Sequence, residues 1–157
     1  MHPNIGISEK DLQKTNKTLA VLLANETVLY IKTRKFHWNI SGDSFLELHL
    51  LFQDQYKELE AMIDEVAERI NKLGSQAIGT LQEFSEYTTL KESPGKNPPQ
   101  KEMISKLQND HEQIIKEIRK HLNHEEKEGL DAGTVDFITG LMQQHETIAW
   151  KLRRYLQ

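Results

Sequence analysis

Two histidines and two acids carry the clearest chemistry in this 157-residue chain. His37 and His49 precede Asp64 and Glu68 in the stretch that runs from His37 to Arg69. Imidazole and carboxylate both ligate metals. A sparse mixed set with open positions suits divalent iron, and also zinc, manganese or cobalt. Asp64 and Glu68 are four residues apart, so on a helix they share one face. Two plainer readings compete: acids at this spacing form solvated helix faces, and His37, set between Phe36 and Trp38, suits a partly buried structural histidine near a turn.

The elements that must position these residues are helices. Ser8 opens the first, with Asp11 in the capping-box relation, and the pattern continues to about Asn39. Leu12, Leu19, Leu23 and Tyr30 lie on one side of it. Ala20, Val21, Ala24, Val28 and Ile31 lie on another, which points to a subunit interface. Ser41-Gly42-Asp43 breaks the helix. Ser44 with Glu47 signals a second cap, and a helix follows to Leu73 with Gly74 as its stop. Thr80 with Glu83 caps a short helix to Tyr87, and Ser93 to Pro99 is a loop. A further helix spans about Gln100 to Glu126, with Ile104, Leu107, Ile114, Ile118 and Leu122 inward. After a turn near Gly129 the last helix runs from Ala132 to Leu156, with Phe137, Leu141, Ile148, Leu152 and Tyr155 inward. No stretch reads as strand. The fold class is all-α: a four-helix bundle, residues 1–157 as one domain, with residues 1–7 as a flexible N-terminal tail. A short helix in the second-to-third connection fits a long crossover of the ferritin type.

Helical phase separates the acids from the core. With 100° per residue and Leu48 at zero, Phe52, Leu59, Met62, Val66 and Ile70 fall within about 60°. His49, Gln53, Glu60, Asp64 and Glu68 fall between about 100° and 200°. The acids point away from their own bundle, so a metal site there would be completed by another subunit. An ordinary diiron site inside the bundle would need Glu-x-x-His pairs, and no histidine here has Glu three residues before it.

The remaining histidines are weaker candidates. His111 lies in an apolar stripe and reads as a core histidine. His121 and His124 could pair on a metal, but a solvated face is the better reading. His145-Glu146 begins a metalloprotease motif that fails at Ala149. No glycine cluster forms a phosphate loop, and no serine sits in a nucleophile elbow. Zero cysteines exclude disulfides, thiolate zinc sites and cysteine nucleophiles. Charged residues make up 28% and hydrophobic residues 37%, a mix that suits helices with charged outer faces. The net charge of −4 does not favour nucleic acid. The N-terminus lacks a signal-peptide layout, which suits a cytoplasmic location.

At this point the motif resembles a known family. His37-Trp38-Asn39, Gly42, Phe45, Leu48-His49 and Asp64-Glu65-Val66-Ala67-Glu68-Arg69 are similar to the Dps miniferritins, as is the ending His145-Glu146 with Ala149-Trp150. The similarity runs from about Ser8 to Leu156. It implies a ferritin-like bundle assembled into a hollow dodecamer, with metal sites at twofold interfaces. It implies that Asp64 and Glu68 hold iron from one subunit, that His37 completes the site from another, and that His49 assists at a second iron position. It gives Trp38 a part in electron transfer or radical scavenging. The implied reaction is oxidation of Fe(II) by hydrogen peroxide, more slowly by oxygen, with storage as ferric oxyhydroxide. Asp131 and Asp136 become candidates for an iron-admitting pore, with Glu128 third and Asp131 also a candidate helix cap. The chain departs from the family at Gln53, where an acid is usual, so the second iron position is weakened and would lean on Asp54, Glu60 or iron already bound. The family's alternative activity is DNA compaction, with nucleoid association. The N-terminus carries no Lys or Arg before Lys10, the chain ends at Gln157, and Lys32, Arg34 and Lys35 read as a solvated helix-end cluster. DNA affinity is therefore expected to be weak or absent.

Overall fold

A computed structural model describes residues 3–123 and 130–157. Its elements are α1 (Glu9–Asn39), α2 (Phe45–Lys72), α3 (Leu81–Tyr87), α4 (Gln100–Leu122) and α5 (Ala132–Arg154). No strand occurs among the described residues. α1 packs along α2, α4 packs along α5, and α3 lies on α1. The long link from α2 through α3 to α4 crosses the bundle, as the ferritin-type connection requires.

Local signals place most boundaries. Ser8 caps α1 by accepting the Asp11 N–H at 3.2 Å. Thr80 and Glu83 form the full reciprocal capping box on α3. Gly74 takes φ of +83° after α2, where an L side chain would be strained, and Ser75 N–H then reaches back to Ile70 C=O. One expected cap does not form: Ser44 makes no side-chain bond to α2. Glu47 is drawn elsewhere, accepting the Tyr155 hydroxyl at 2.8 Å. α4 ends at Leu122, with Asn123 extended, rather than running to Glu126. His124, Glu126, Glu128 and Gly129 lie outside the described residues. α5 ends at Arg154, two residues short of Leu156. Residues 3–7 carry no helix, but Ile7 packs against the edge of the core.

The α2 stripe is buried as its phase requires: Leu48, Phe52, Leu59, Met62, Val66 and Ile70 are all core residues. On α5 the core position falls to Ile138, and Phe137 is only half-buried beside it. The second apolar side of α1 is largely taken by the chain itself. Ala24 and Val28 are buried, and Val28 and Ile31 face Leu81, Phe84 and Leu90 of the crossover.

Polar groups fasten that crossover. Buried Asn25 accepts from the Thr88 hydroxyl and the Thr89 N–H, each at 2.8 Å, and donates to Glu117 on α4 at 2.8 Å. Lys32 donates to the Lys91 carbonyl and pairs with Asp110. Lys35 donates to the carbonyls of Ser93 and Lys96. This corrects the solvated reading of the Lys32, Arg34 and Lys35 cluster: Lys32 is buried and both lysines are committed inside the fold. Removing Asn25 leaves the Thr89 N–H and a Glu117 carboxylate oxygen without this partner. Asn25→Ala should cost about 2 kcal/mol and lower the thermal midpoint by about 5 °C. Thermal denaturation checks this, and an unchanged midpoint would show that the crossover does not depend on Asn25.

Candidate metal centre

His37 closes α1 and His49 lies in the second turn of α2, so the short turn between the helices brings them face to face. Their rings stack with centroids 3.8 Å apart. His37 Nδ1–H donates to the His49 carbonyl at 2.7 Å, and His49 Nδ1–H donates to the His37 carbonyl at 2.9 Å. A carbonyl only accepts, so in this arrangement each Nδ1 carries a hydrogen. Each neutral ring then holds its lone pair on Nε2, the tautomer a metal ligand needs. His37 is buried, as expected beside Phe36, which is in the core. Trp38, the other neighbour of His37, has 64% of its surface exposed. Phe45, Leu46 and Leu50 are exposed large apolar side chains of the same helix turns.

Asp64 and Glu68 face outward on α2, as their phase predicts. Glu68 pairs with Lys72 at 2.9 Å; the Lys72 hydrogen bond, then its charge, lowers the Glu68 carboxyl below its ordinary range. From His49 to Asp64 is fifteen residues of one helix, a rise of about 22 Å. One chain cannot bring the histidines and these acids to one ion. Consistently, no group of three or more potential ligands converges among the described residues. Gln53 is half-buried, and Asp54 and Glu60 are exposed on the same helix.

Asp131 is the N-cap of α5. Its Oδ1 accepts from Arg69 at 3.0 Å and from the Thr134 N–H at 3.1 Å, and Oδ2 accepts from the Thr134 hydroxyl. Burial works to raise this carboxyl, but the Thr134 bonds, the Arg69 charge and the Gly133 amide outweigh it and hold it below the usual range. Asp136 is exposed on α5.

A second constellation is internal. Glu26, His111 and His145 are all fully buried. His145 Nε2 meets Glu26 Oε1 at 2.6 Å, and the Nδ1 atoms of His145 and His111 meet at 2.7 Å. The core reading of His111 holds. Glu26 and the partnership of His145 were missed, although both interrupt apolar stripes: Leu19, Leu22, Glu26 and Leu29 on α1, and Leu141, His145 and Ile148 on α5. A charged residue at core phase is the signal that could have found them. His121 is half-buried and has an interaction partner of its own.

The ferritin family, described as a ferritin-like domain, matches residues 16–157. The chain is 34% identical to the solved Dps of Thermosynechococcus elongatus, over 94% of this chain and 93% of that one, with a TM-score of 0.87. The chain belongs to the Dps family of ferritin-like proteins. It is also similar to Dps of Vibrio cholerae, described as a member of a broad superfamily of ferritin-like diiron-carboxylate proteins, at 29% identity over 99% and 97% of the two chains, with a TM-score of 0.91. A DNA protection during starvation protein of Brevibacillus brevis is 41% identical over 59% of this chain and 64% of its own length. The chain spans less than two thirds of the length of the curated relatives it matches at 40 and 41% identity. Among the described residues of this Dps-family chain, no helix is long and apolar enough to cross a membrane.

Burial of His111, then the electrostatic effect of the neighbouring His145, holds the His111 imidazole well below the ordinary histidine range. The unfolded chain therefore binds a proton more readily than the folded one. Stability from this group is present above pH 6.5 and is lost as pH falls from there through the folded pKa. The slope is about 1.4 kcal/mol per pH unit in that window. Acid unfolding monitored by circular dichroism should show this dependence flattened by about one proton in His111→Leu; identical pH profiles would sink the assignment.

Proposed function

We propose that this chain stores and detoxifies iron as a ferroxidase, with Fe(II) and hydrogen peroxide as substrates and oxygen as a slower oxidant. The observation that carries the reading is the tautomer-locked His37–His49 pair, separated by about 22 Å of helix from outward acids that match it in ligand chemistry. Two half-sites on one chain call for a second copy. In this reading Asp64 and Glu68 of one subunit bind Fe(II), and His37 of another completes the site through Nε2. His49 assists a second iron through water. Gln53 offers an amide where a carboxylate would bind more strongly, so that second ion is held weakly. Two Fe(II) ions each give one electron to one peroxide; its O–O bond breaks, and two protons complete two waters. Consuming both substrates together prevents hydroxyl-radical formation and thereby protects DNA.

The exposed Trp38, Phe45, Leu46 and Leu50 support a covered surface beside the histidines. A hollow dodecamer with sites at twofold interfaces would cover it and hold the ferric oxyhydroxide. Of the pore candidates, Asp136 is the stronger, because Asp131 is engaged with Arg69 and Thr134. Trp38 would donate electrons to stray radicals. The location would be cytoplasmic. The alternative reading, DNA compaction, loses support from Lys32 and Lys35, which are turned inward; a gel shift with retarded DNA at moderate salt would restore it.

Stopped-flow iron oxidation tests the site. Asp64→Ala with Glu68→Ala should lower the initial rate by about 100-fold, while gel filtration shows the assembly unchanged. His37→Ala should do likewise. Equal mixing of the two variants during assembly should restore about a quarter of the parent sites, because half the twofold pairs are mixed and each keeps one intact site. If mixing restores nothing while both variants assemble, the site is not shared between subunits.

A further inference from the structure

Arg34 stands one turn before His37 and Trp38 on α1, and its guanidinium is surrounded by aromatic rings. It lies 4.9 Å from the centroid of Tyr56, 5.2 Å from Trp38 and 5.5 Å from Tyr30. Its Nη1 donates to the Tyr30 hydroxyl at 2.6 Å. Tyr56 meets His37 edge to face at 5.3 Å and meets Tyr30 at 6.2 Å. The two tyrosines thus form a connected pair of oxidisable side chains that begins against a proposed iron ligand, and Arg34 joins Trp38 to them. One cation touches all three rings.

A neutral ring attracts a cation to its π face. A ring that has lost an electron is itself positive, and a fixed guanidinium at about 5 Å repels it. Each ring is therefore harder to oxidise with Arg34 in place than without it. We propose that Arg34 is a positioning residue that acts through Tyr30, Trp38 and Tyr56, setting how strong an oxidant must be to take an electron from them. Hydroxyl radical still oxidises Trp38. Weaker one-electron oxidants do so less, and more of their equivalents remain with iron and peroxide. The biological role rests on the iron-oxidation reading; the electrostatic effect on the rings does not require iron.

The electron balance is simple. The ring gives one electron to the oxidant, which turns hydroxyl radical into hydroxide or azide radical into azide. The ring radical cation then releases its indole N–H or phenol O–H proton to solvent.

Azide radical generated by pulse radiolysis on the metal-free, assembled full chain provides an iron-free probe. Oxidation at Tyr30, Trp38 and Tyr56 is resolved by peptide mass spectrometry, with the exposed Trp150 as internal reference. Arg34→Gln should raise oxidation of Trp38 and Tyr56 relative to Trp150 by about fivefold. Arg34→Lys, which keeps the charge, should stay within about twofold of the parent. Equal relative oxidation in the Gln variant and the parent overturns the proposal. So does a Lys variant oxidised as heavily as the Gln variant, since charge would then not be the cause. The same proteins given Fe(II) and hydrogen peroxide should oxidise iron at similar initial rates, with more damaged Trp38 in the Gln variant. A parent chain inert toward Fe(II) would defeat the iron-oxidation reading alone, and the azide measurement would still decide the role of Arg34.

Discussion

The exchange of hydrogen bonds between His37 and His49 is the constraint on which the site depends. Each ring donates to the other residue's backbone carbonyl. The last carbonyls of a helix have no partner within it, and His37 contributes one of them at the end of α1. His49 satisfies that carbonyl from α2. The bond that finishes one helix therefore also fixes the tautomer of the second histidine, and the reciprocal bond does the same for the first. The two Nε2 atoms are left as acceptors without any dedicated positioning residue. The C-terminal end of α1 adds a partial negative charge beside them, which favours a nearby cation.

The same rigidity prevents one chain from completing the site. In the proposed site α2 carries His49 and both acids, and a helix cannot fold back on itself to join residues fifteen positions apart. The histidines sit at the α1–α2 turn and the acids near the opposite end. Apolar side chains flank the histidine end: Trp38, Phe45, Leu46 and Leu50 are exposed in the single chain. Exposure of this kind is costly in an isolated monomer and marks an interaction surface. Ligand distribution and surface chemistry thus both support the proposed sharing of the site between copies of the chain.

Periodicity made the outward acids legible, because burial of the α2 stripe leaves Asp64 and Glu68 no other face. The His37–His49 spacing was legible too, since a Gly-containing break between two helices places both at one end. What the chain alone could not show was which polar residues have tertiary partners. Asn25 and Lys32 look like ordinary helix-surface residues until α4 and the crossover supply Glu117 and Asp110, and Glu26, at core phase, gives no sign that its partner is His145. Gln55 sits in the α2 stripe between Phe52 and Leu59 and is buried with them. Ser44 fails in the opposite sense: its capping signal is present, but Glu47 is claimed by Tyr155 from the far end of the chain. Local grammar places helix ends well except where a distant residue competes for the same side chain.

The buried Glu26–His145–His111 line raises the question of whether this core could itself host a metal, as ferritin-like bundles often do. Its geometry argues against that. Two imidazole nitrogens bound to one tetrahedral ion at about 2.1 Å would lie about 3.4 Å apart. The two Nδ1 atoms here are 2.7 Å apart, a hydrogen-bond separation. Glu26 meets His145 through Nε2, on the other side of the ring, so carboxylate and imidazoles address different points in space. The three groups are linked in a line instead of converging, and Glu26 Oε2 and His111 Nε2 at its two ends have no hydrogen-bond partner. With these interior groups spent on one another, the proposed metal chemistry falls to the outer face, where His37, His49, Asp64 and Glu68 would be joined by assembly.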